Sequence, residues 1–341
     1  MEKFSSRLAL LLALIGSAVG LGNIWRVSYL FSFYGSAFLI SYIVFVIIIG
    51  LPLVYLELKL SERYKKPVKE LYSIFAKKHK LSFFKYVYLM PLITLFVLST
   101  YYSIVLGQVL TNIIDIHIGS LFLVWAITIY AVLNGIKGIE KVNNVFMLLL
   151  FILLLYLLAN VKTLPNLLAF ETKDIIESIK QGLAHVLFSL SVGTGLLYTY
   201  SIYSKKSNTF ENAFIVSLSD TLVAIISLIV IFSMAPQPDI FVAFEGIKNK
   251  FFEIGQPFLS YVFFLALFSA GITSLIALAK FLYDNGNIYT LLTAFISSVI
   301  LYFLPPVIIQ FLDSVLVTSL FLITLPITVI VFLSLLRDKK N

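Results

Sequence analysis

Long apolar runs separated by short polar stretches dominate the chain. Leu8–Leu21, Ala37–Leu56 and Val145–Ala159 are typical. A helix of about 20 predominantly apolar residues crosses a bilayer. Reading each run this way predicts about ten spanning helices, near 7–29, 36–60, 86–111, 119–134, 142–160, 181–202, 211–233, 257–283, 288–305 and 313–336. The fold class expected is therefore an all-α membrane protein. The first run is read as a retained span, because no small-residue cleavage site follows a short core and Asn23 and Arg26 stand at its far end.

The polar connections set the orientation. The densest basic stretch, Lys59–Lys85, carries Arg63, Lys65, Lys66, Lys69, Lys77, Lys78 and Lys80. Lys137 with Lys141, Lys205 with Lys206, and the tail Arg337-Asp338-Lys339-Lys340 fall on the same side of the predicted spans. Lysine- and arginine-rich connections face the cytoplasm, so both termini are placed there, in a multi-pass protein of the plasma membrane. Acids gather on the other side, at Glu171–Glu177 and Asp239–Glu253, where short surface helices are expected near 165–180 and 238–254.

Composition agrees. The chain is 60% apolar and 12% charged, against about 45–50% and about 25% for soluble domains. With no cysteine, disulfides and thiolate metal sites are excluded. The net charge of +8 is read as lysine retained on the cytoplasmic side rather than as nucleic-acid binding. His79, His117 and His185 are scattered, and no nucleophile–base pair or metal-ligand spacing suggests an enzyme.

Ten spans divide into five and five, and an odd number per half forces the second half into inverted topology. This plan is common in secondary transporters, whose sites lie at the bilayer midplane. The expected organisation is one transport domain over 1–341, with 1–160 as the first repeat and 181–341 as the second. No residue-level repeat is visible. The correspondence lies instead in two interrupted helices, at Gly16-Ser17-Ala18-Val19-Gly20-Leu21-Gly22-Asn23 and at Ser189-Leu190-Ser191-Val192-Gly193-Thr194-Gly195. Glycines at i and i+2 favour local unwinding. Unwound backbone at membrane depth must face protein or a polar cavity. It frees carbonyls, which suit a hard cation, and amides at a half-helix start, which suit a carboxylate. The bland alternative is that these glycines only permit close helix packing.

Polar groups inside the apolar runs sharpen the picture. Asn23, Arg26, Glu57, Asp220 and Asp313 lie in or at the ends of spans, where ionisable groups are costly and point to function. Glu57 is read as a structural cap on a broken helix, and Asp220 as a partner for a bound cation. The adjacent hydroxyls of Thr273 and Ser274 suit Na⁺, although such side chains also bond back to their own helix. Tyr101 and Tyr102 stand in mid-span, where a buried hydroxyl needs a partner.

These landmarks resemble the neurotransmitter:sodium symporter family, of which the bacterial leucine transporter is a familiar member. The likeness runs from Arg7-Leu8 through Gly16–Arg26, Gly35-Ser36-Ala37-Phe38 and Gly50-Leu51-Pro52-Leu53 to Tyr101-Tyr102. It continues in a loop at Gly138-Ile139-Glu140-Lys141, in Phe188–Gly193 and in Ala270-Gly271-Ile272-Thr273-Ser274. The resemblance implies the leucine-transporter fold with broken first and sixth helices. It also implies co-transported Na⁺ and no organic cofactor. One Na⁺ is implied on the carbonyls of Gly16, Val19 and Ala270 with the hydroxyls of Thr273 and Ser274, and a second beside Ala18, Asn23, Ser189 and Asp220. The substrate carboxylate is assigned to the amides near Leu21 and Gly22 and the Tyr102 hydroxyl. Its amino group is assigned to carbonyls near Ala18, Phe188 and Ser191. Leu98, Thr194, Ser274 and Leu278 are to shape the side-chain pocket. Phe188 is the implied outer lid, Arg26 with Asp313 the outer gate, and Tyr203 part of the inner gate.

The chain departs from the family pattern in several places. The family usually has twelve spans against ten here, a difference outside the inverted repeat. Lys3 stands near the place of an inner-gate arginine, with Asp284 as its suggested partner. Val27-Ser28-Tyr29 lacks the usual proline, and His185 replaces a usual glutamine. Asp220 stands where some members have asparagine, and Ala224 where chloride-dependent members have a serine nearby; together these predict chloride independence. The expected function is thus Na⁺-coupled symport of amino acids or related zwitterions by alternating access. The alternatives are a proton-coupled or differently coupled transporter of the same fold, and a transport-inactive metabolite-binding scaffold.

Overall fold

The computed structural model describes residues 2–169, 171–172, 174–205, 208–234, 242–253, 255–304 and 318–337. Helix α1 (Arg7–Ala18) begins where the Ser6 hydroxyl accepts the Ala9 N–H at 3.1 Å, a side-chain cap for a helix start. It ends at Val19, which is extended. The helix resumes in a widened π-type turn at Gly22–Arg26 and runs on as α2 (Val27–Phe45). Gly35, at φ 62° and ψ −154°, turns a corner inside that run. The sequence predicts separate spans at 7–29 and 36–60; the structure instead joins them through this glycine, whose missing side chain permits the positive φ.

A second π-type turn, Val46–Gly50, leads into α3 (Leu51–Tyr64). The basic stretch beyond it is not a plain loop. It holds α4 (Val68–Lys78) and a short turn of helix at Ser82–Tyr86. Then follow α5 (Leu89–Ile114), α6 (His117–Leu133) and α7 (Gly135–Ala159). The last starts seven residues before the predicted span at 142–160, so Gly138–Lys141 is helical and not the expected loop. The reason is a distant cap: the Glu2 carboxylate accepts the Ile136 N–H at 2.8 Å, and Ser5 bonds to Glu140.

The second half mirrors this order. Helix α8 (Ile175–Ser189) breaks over 190–195 and resumes as α9 (Leu196–Ser201). Next come α10 (Thr209–Met234), α11 (Val242–Glu253), α12 (Pro257–Asn285), α13 (Ile288–Tyr302) and α14 (Thr318–Arg337). Helix α11 is the surface helix expected near 238–254, and a short turn at Leu167–Ala169 answers to the one near 165–180. Every described element is helical.

Helix α12 is the hub, packed by α5, α7 and α1, while α8 packs along α2. Its apolar window is 94% buried, against 33% for that of α7. A helix that is apolar all round and buried belongs inside a bundle. The outer helices instead leave Ile47, Leu148, Leu155 and Ile296 exposed, as a lipid-facing surface requires. By length and composition, five described stretches can cross a membrane, and four shorter apolar helices accompany them.

Candidate functional site

The two breaks meet in the middle of the bundle. Glu57 of α3 holds the second one open. Its Oε1 accepts the N–H groups of Gly193 (2.7 Å) and Gly195 (3.3 Å), and its Oε2 that of Tyr198 (3.1 Å). These amides begin a half-helix and have no partner within it. Gly193 and Gly195 lie at φ 80° and 82°, where a side chain is disfavoured. Glu57 is thus the structural cap expected from its place in an apolar run.

Around the first break two clusters form. In one, the Ser274 hydroxyl lies 2.9 Å from the carbonyls of both Gly16 and Val19. The Thr273 hydroxyl donates to the Ala270 carbonyl at 2.9 Å. All five predicted residues of this group therefore converge, with α1 and α12 supplying the oxygens. A Cβ on Gly20 would strike the Tyr102 hydroxyl and come within 2.7 Å of the Ser274 Oγ, so only glycine fits at the junction.

In the other cluster, Asn23 Nδ2 donates to Ser189 Oγ and Asp220 Oδ1, both at 2.7 Å. Ser189 in turn donates to both Asp220 oxygens at 2.9 Å. The Asn23 Oδ1 accepts the Gly20 N–H at 3.0 Å. Asp220 is fully buried, and each of these donors offsets the cost of removing a carboxylate from water. Tyr42 is a further member: its hydroxyl donates to Asp220 Oδ2 at 3.2 Å. It is absent from the sequence-based site, although a tyrosine within the apolar run 37–56 carries the same signal that singled out Tyr102. His185 packs against the ring of Tyr42, with centroids 5.0 Å apart, and neither of its nitrogens has a partner among the described residues.

Between the clusters lies a small cavity. Ala18, Gly22, Asn23, Leu98, Tyr102, Phe188, Ser189, Ser191, Ser274 and Leu278 line it; all but Asn23, which is assigned to a Na⁺, belong to the substrate set expected from the sequence. Ser17, Gly20 and Leu196 complete the lining. The Leu21 N–H donates to the Tyr102 hydroxyl at 2.7 Å, and Gly22 lies against the Phe188 ring. Two residues assigned to the substrate, Leu21 and Thr194, are not in the lining; Leu21 reaches it only through its N–H bond to Tyr102, and Thr194 is turned away. Its hydroxyl donates to the Ser191 carbonyl at 2.8 Å, and the side chain stands outside the lining.

Above the cavity the Arg26 guanidinium sits 4.4 Å from the Phe188 ring centroid, a favourable cation–π distance. Asp313, its predicted gate partner, lies outside the described residues. At the other end Tyr203 donates to Asp284 Oδ2 at 2.9 Å. Asp284 takes its cation from Lys280 at 2.7 Å, within α12, and not from Lys3. One turn of helix brings i and i+4 together, which Lys3 on the N-terminal arm cannot match. Phe4 of that arm is buried, its N–H bonded to the Tyr203 carbonyl at 3.2 Å and its ring edge-on to Tyr200.

Two broken helices that bring their freed backbone groups to one central cavity, with the buried Asp220 of α10 bonded to Asn23 and Ser189 at its edge, have the arrangement of a secondary transporter of the inverted-repeat type. Comparison with known proteins agrees. The model of the sodium:neurotransmitter symporter family matches residues 1–116. An uncharacterized sodium-dependent transporter of Methanocaldococcus jannaschii is 30% identical, over 82% of this chain and 68% of its own. A human sodium- and chloride-dependent transporter, XTRP3, is 26% identical over 68% of this chain and 49% of its own. The crystal structure of MhsT in complex with L-phenylalanine superposes with a TM-score of 0.79 at 25% identity, covering 97% of this chain and 89% of MhsT. The chain belongs to the sodium:neurotransmitter symporter family, and it is a multi-pass membrane protein of the leucine-transporter fold. Both the family and the fold are those of transporters rather than enzymes.

Proposed function

We propose that the protein is a Na⁺-coupled, chloride-independent symporter of amino acids or related small zwitterions, working by alternating access, with both termini in the cytoplasm. The single observation that carries this reading is the convergence of the two breaks. Gly16, Val19, Ala270, Thr273 and Ser274 offer neutral oxygens to one Na⁺. Ala18, Asn23, Ser189 and Asp220 surround the position of a second, where the carboxylate supplies the charge. The substrate carboxylate falls to the Leu21 and Gly22 amides and the Tyr102 hydroxyl, beside that second cation. Opposite charges in a site shielded from water stabilise each other, so substrate and Na⁺ bind better together than apart. The amino group meets carbonyls at Ala18, Phe188 and Ser191, and Leu98, Ser274 and Leu278 bound a pocket for a modest side chain. Arg26 and Phe188 cover the outer side, and Tyr203 belongs to the inner closure. The whole chain acts as one transport domain, with 1–160 and 181–341 as its inverted halves.

The chloride assignment rests on Asp220, whose fixed charge takes the place of the anion, and on the fully buried Ala224, which offers no hydroxyl. Uptake into proteoliposomes tests both parts. An inward Na⁺ gradient drives accumulation of one or more amino acids, an equal K⁺ gradient does not, and replacing chloride with gluconate leaves the rate unchanged. Accumulation that follows a proton gradient alone refutes the coupling, and loss of uptake without chloride refutes the charge argument.

A further inference from the structure

A second cavity, well away from the broken helices, lies where α3 ends and α10 begins. It is an open cleft of about 550 Å³ lined in part by Tyr55, Lys59, Glu62, Lys65, Lys205 and Phe210. We propose that this cleft binds the anionic headgroup of a membrane phospholipid, whose acyl chains lie in the groove between α3 and α10.

Charge gives the first argument. Glu62 is used internally: one oxygen pairs with Lys59 at 2.8 Å, and the other accepts the Thr209 hydroxyl. Lys205 donates to the Ser5 carbonyl at 2.6 Å, a neutral acceptor that leaves its charge in place. Neither Lys65 nor Lys205 forms an ion pair among the described residues. The neighbouring Lys66 pairs instead with Glu70 at 3.0 Å. The cleft thus presents three ammonium groups to one carboxylate, a surplus suited to a phosphate diester. Basic pockets between helices at the cytoplasmic boundary hold such headgroups.

The surroundings separate a lipid from a free anion. On α10, Phe210, Phe214, Leu218 and Leu222 are exposed at four-residue spacing, which places them on one stripe. On the neighbouring element Ile48, in the π-type turn before α3, and Tyr55 and Lys59, one turn apart on α3, are exposed. Helices α3 and α10 pack together, so the two sets flank one groove. They meet the cleft at Tyr55 and Phe210, whose rings lie edge to face with centroids 6.2 Å apart. Aromatic rings at the level of the headgroups mark the membrane boundary. An apolar groove that opens into a basic cleft through an aromatic pair has the polarity of a phospholipid from tail to head, and a soluble anion needs none of it.

Native mass spectrometry of the full-length protein in detergent tests this, with phosphatidylglycerol and phosphatidylcholine of matched acyl chains as probes. Phosphatidylglycerol is expected to bind selectively. In the Lys65→Gln/Lys205→Gln variant its affinity falls about tenfold or more, as loss of two surface charges predicts, while phosphatidylcholine is unaffected. Lys65→Arg/Lys205→Arg retains binding, as does Lys77→Gln/Lys78→Gln on α4. Because Lys205 also holds Ser5, Lys65→Gln alone serves as the second variant, with a several-fold loss expected. Equal binding of the two lipids overturns the proposal, as does undiminished phosphatidylglycerol binding in Lys65→Gln. Displacement of phosphatidylglycerol by millimolar inorganic phosphate also overturns it, by assigning the cleft to a soluble anion.

Discussion

Glu57→Gln isolates the idea that a carboxyl outside the cavity holds the second break in shape. In the native protein the two carboxyl oxygens accept three backbone N–H groups, from Gly193, Gly195 and Tyr198, at 2.7–3.3 Å. An amide has the same shape but one acceptor. With its oxygen turned toward Gly193 and Gly195, its NH₂ faces the Tyr198 N–H, donor against donor. The variant therefore loses one hydrogen bond, about 1 kcal/mol, and strands a buried donor, about 1–3 kcal/mol. The sum is about 2–4 kcal/mol, borne by the residues that place Phe188, Ser189 and Ser191. Turning the amide the other way loses two hydrogen bonds, those of Gly193 and Gly195, and costs more. Two measurements read the effect: the thermal midpoint in detergent, and Na⁺-driven uptake in proteoliposomes at matched protein. Both are expected to fall, although Glu57 is not among the residues lining the cavity. Glu57→Asp, with the carboxylate drawn back by one methylene, is expected to fall as well, because its oxygens no longer reach all three amides. If Glu57→Gln keeps the wild-type midpoint and rate, the capping argument is wrong.

Other outcomes follow from the same geometry. Ser274→Ala removes the hydroxyl shared by Gly16 and Val19 and is expected to raise the Na⁺ concentration for half-maximal uptake several-fold; an unchanged Na⁺ dependence excludes Ser274 as a ligand. Tyr102→Phe strands the Leu21 N–H and removes a carboxylate donor, so the substrate KM is expected to rise about tenfold; the test is uptake kinetics at saturating Na⁺. Gly20→Ala forces a methyl group against Tyr102 and Ser274, and Na⁺-dependent thermal stabilisation by substrate is expected to vanish. Asp220→Asn in the folded protein is expected to abolish chloride-independent uptake; full retention of activity in chloride-free medium contradicts the role given to its charge.

The sequence carried the fold in its long apolar runs, whose length is dictated by the bilayer, and the site in its glycine pairs, which have few other reasons to interrupt such runs. Glu57 was legible as a cap because a carboxyl in an apolar run must find donors nearby, but its three amides come from a segment more than 130 residues away. Thr194 looked like a pocket residue, yet a hydroxyl beside a turn bonds most easily to the local carbonyl, and it does so with Ser191. The start of α7 was illegible because its cap, Glu2, comes from the far end of the chain. Tyr42 and Lys280 were legible in principle. Both are polar groups inside apolar runs, the second about one helical turn before the acid it pairs with.

That pairing changes how the inner side can open. A salt bridge between two moving parts acts as a latch and must be pulled apart at each cycle. Lys280 and Asp284 are both on α12, so in the alternating-access cycle proposed above this pair would ride with one wall of the passage and stay intact as the passage widened. What would part is lighter: the Tyr203 hydroxyl from Asp284, and Phe4 from the Tyr200 ring and the Tyr203 carbonyl. Hydrogen bonds and ring contacts of this kind are each worth on the order of 1 kcal/mol, and the charges left behind on α12 remain paired when water enters.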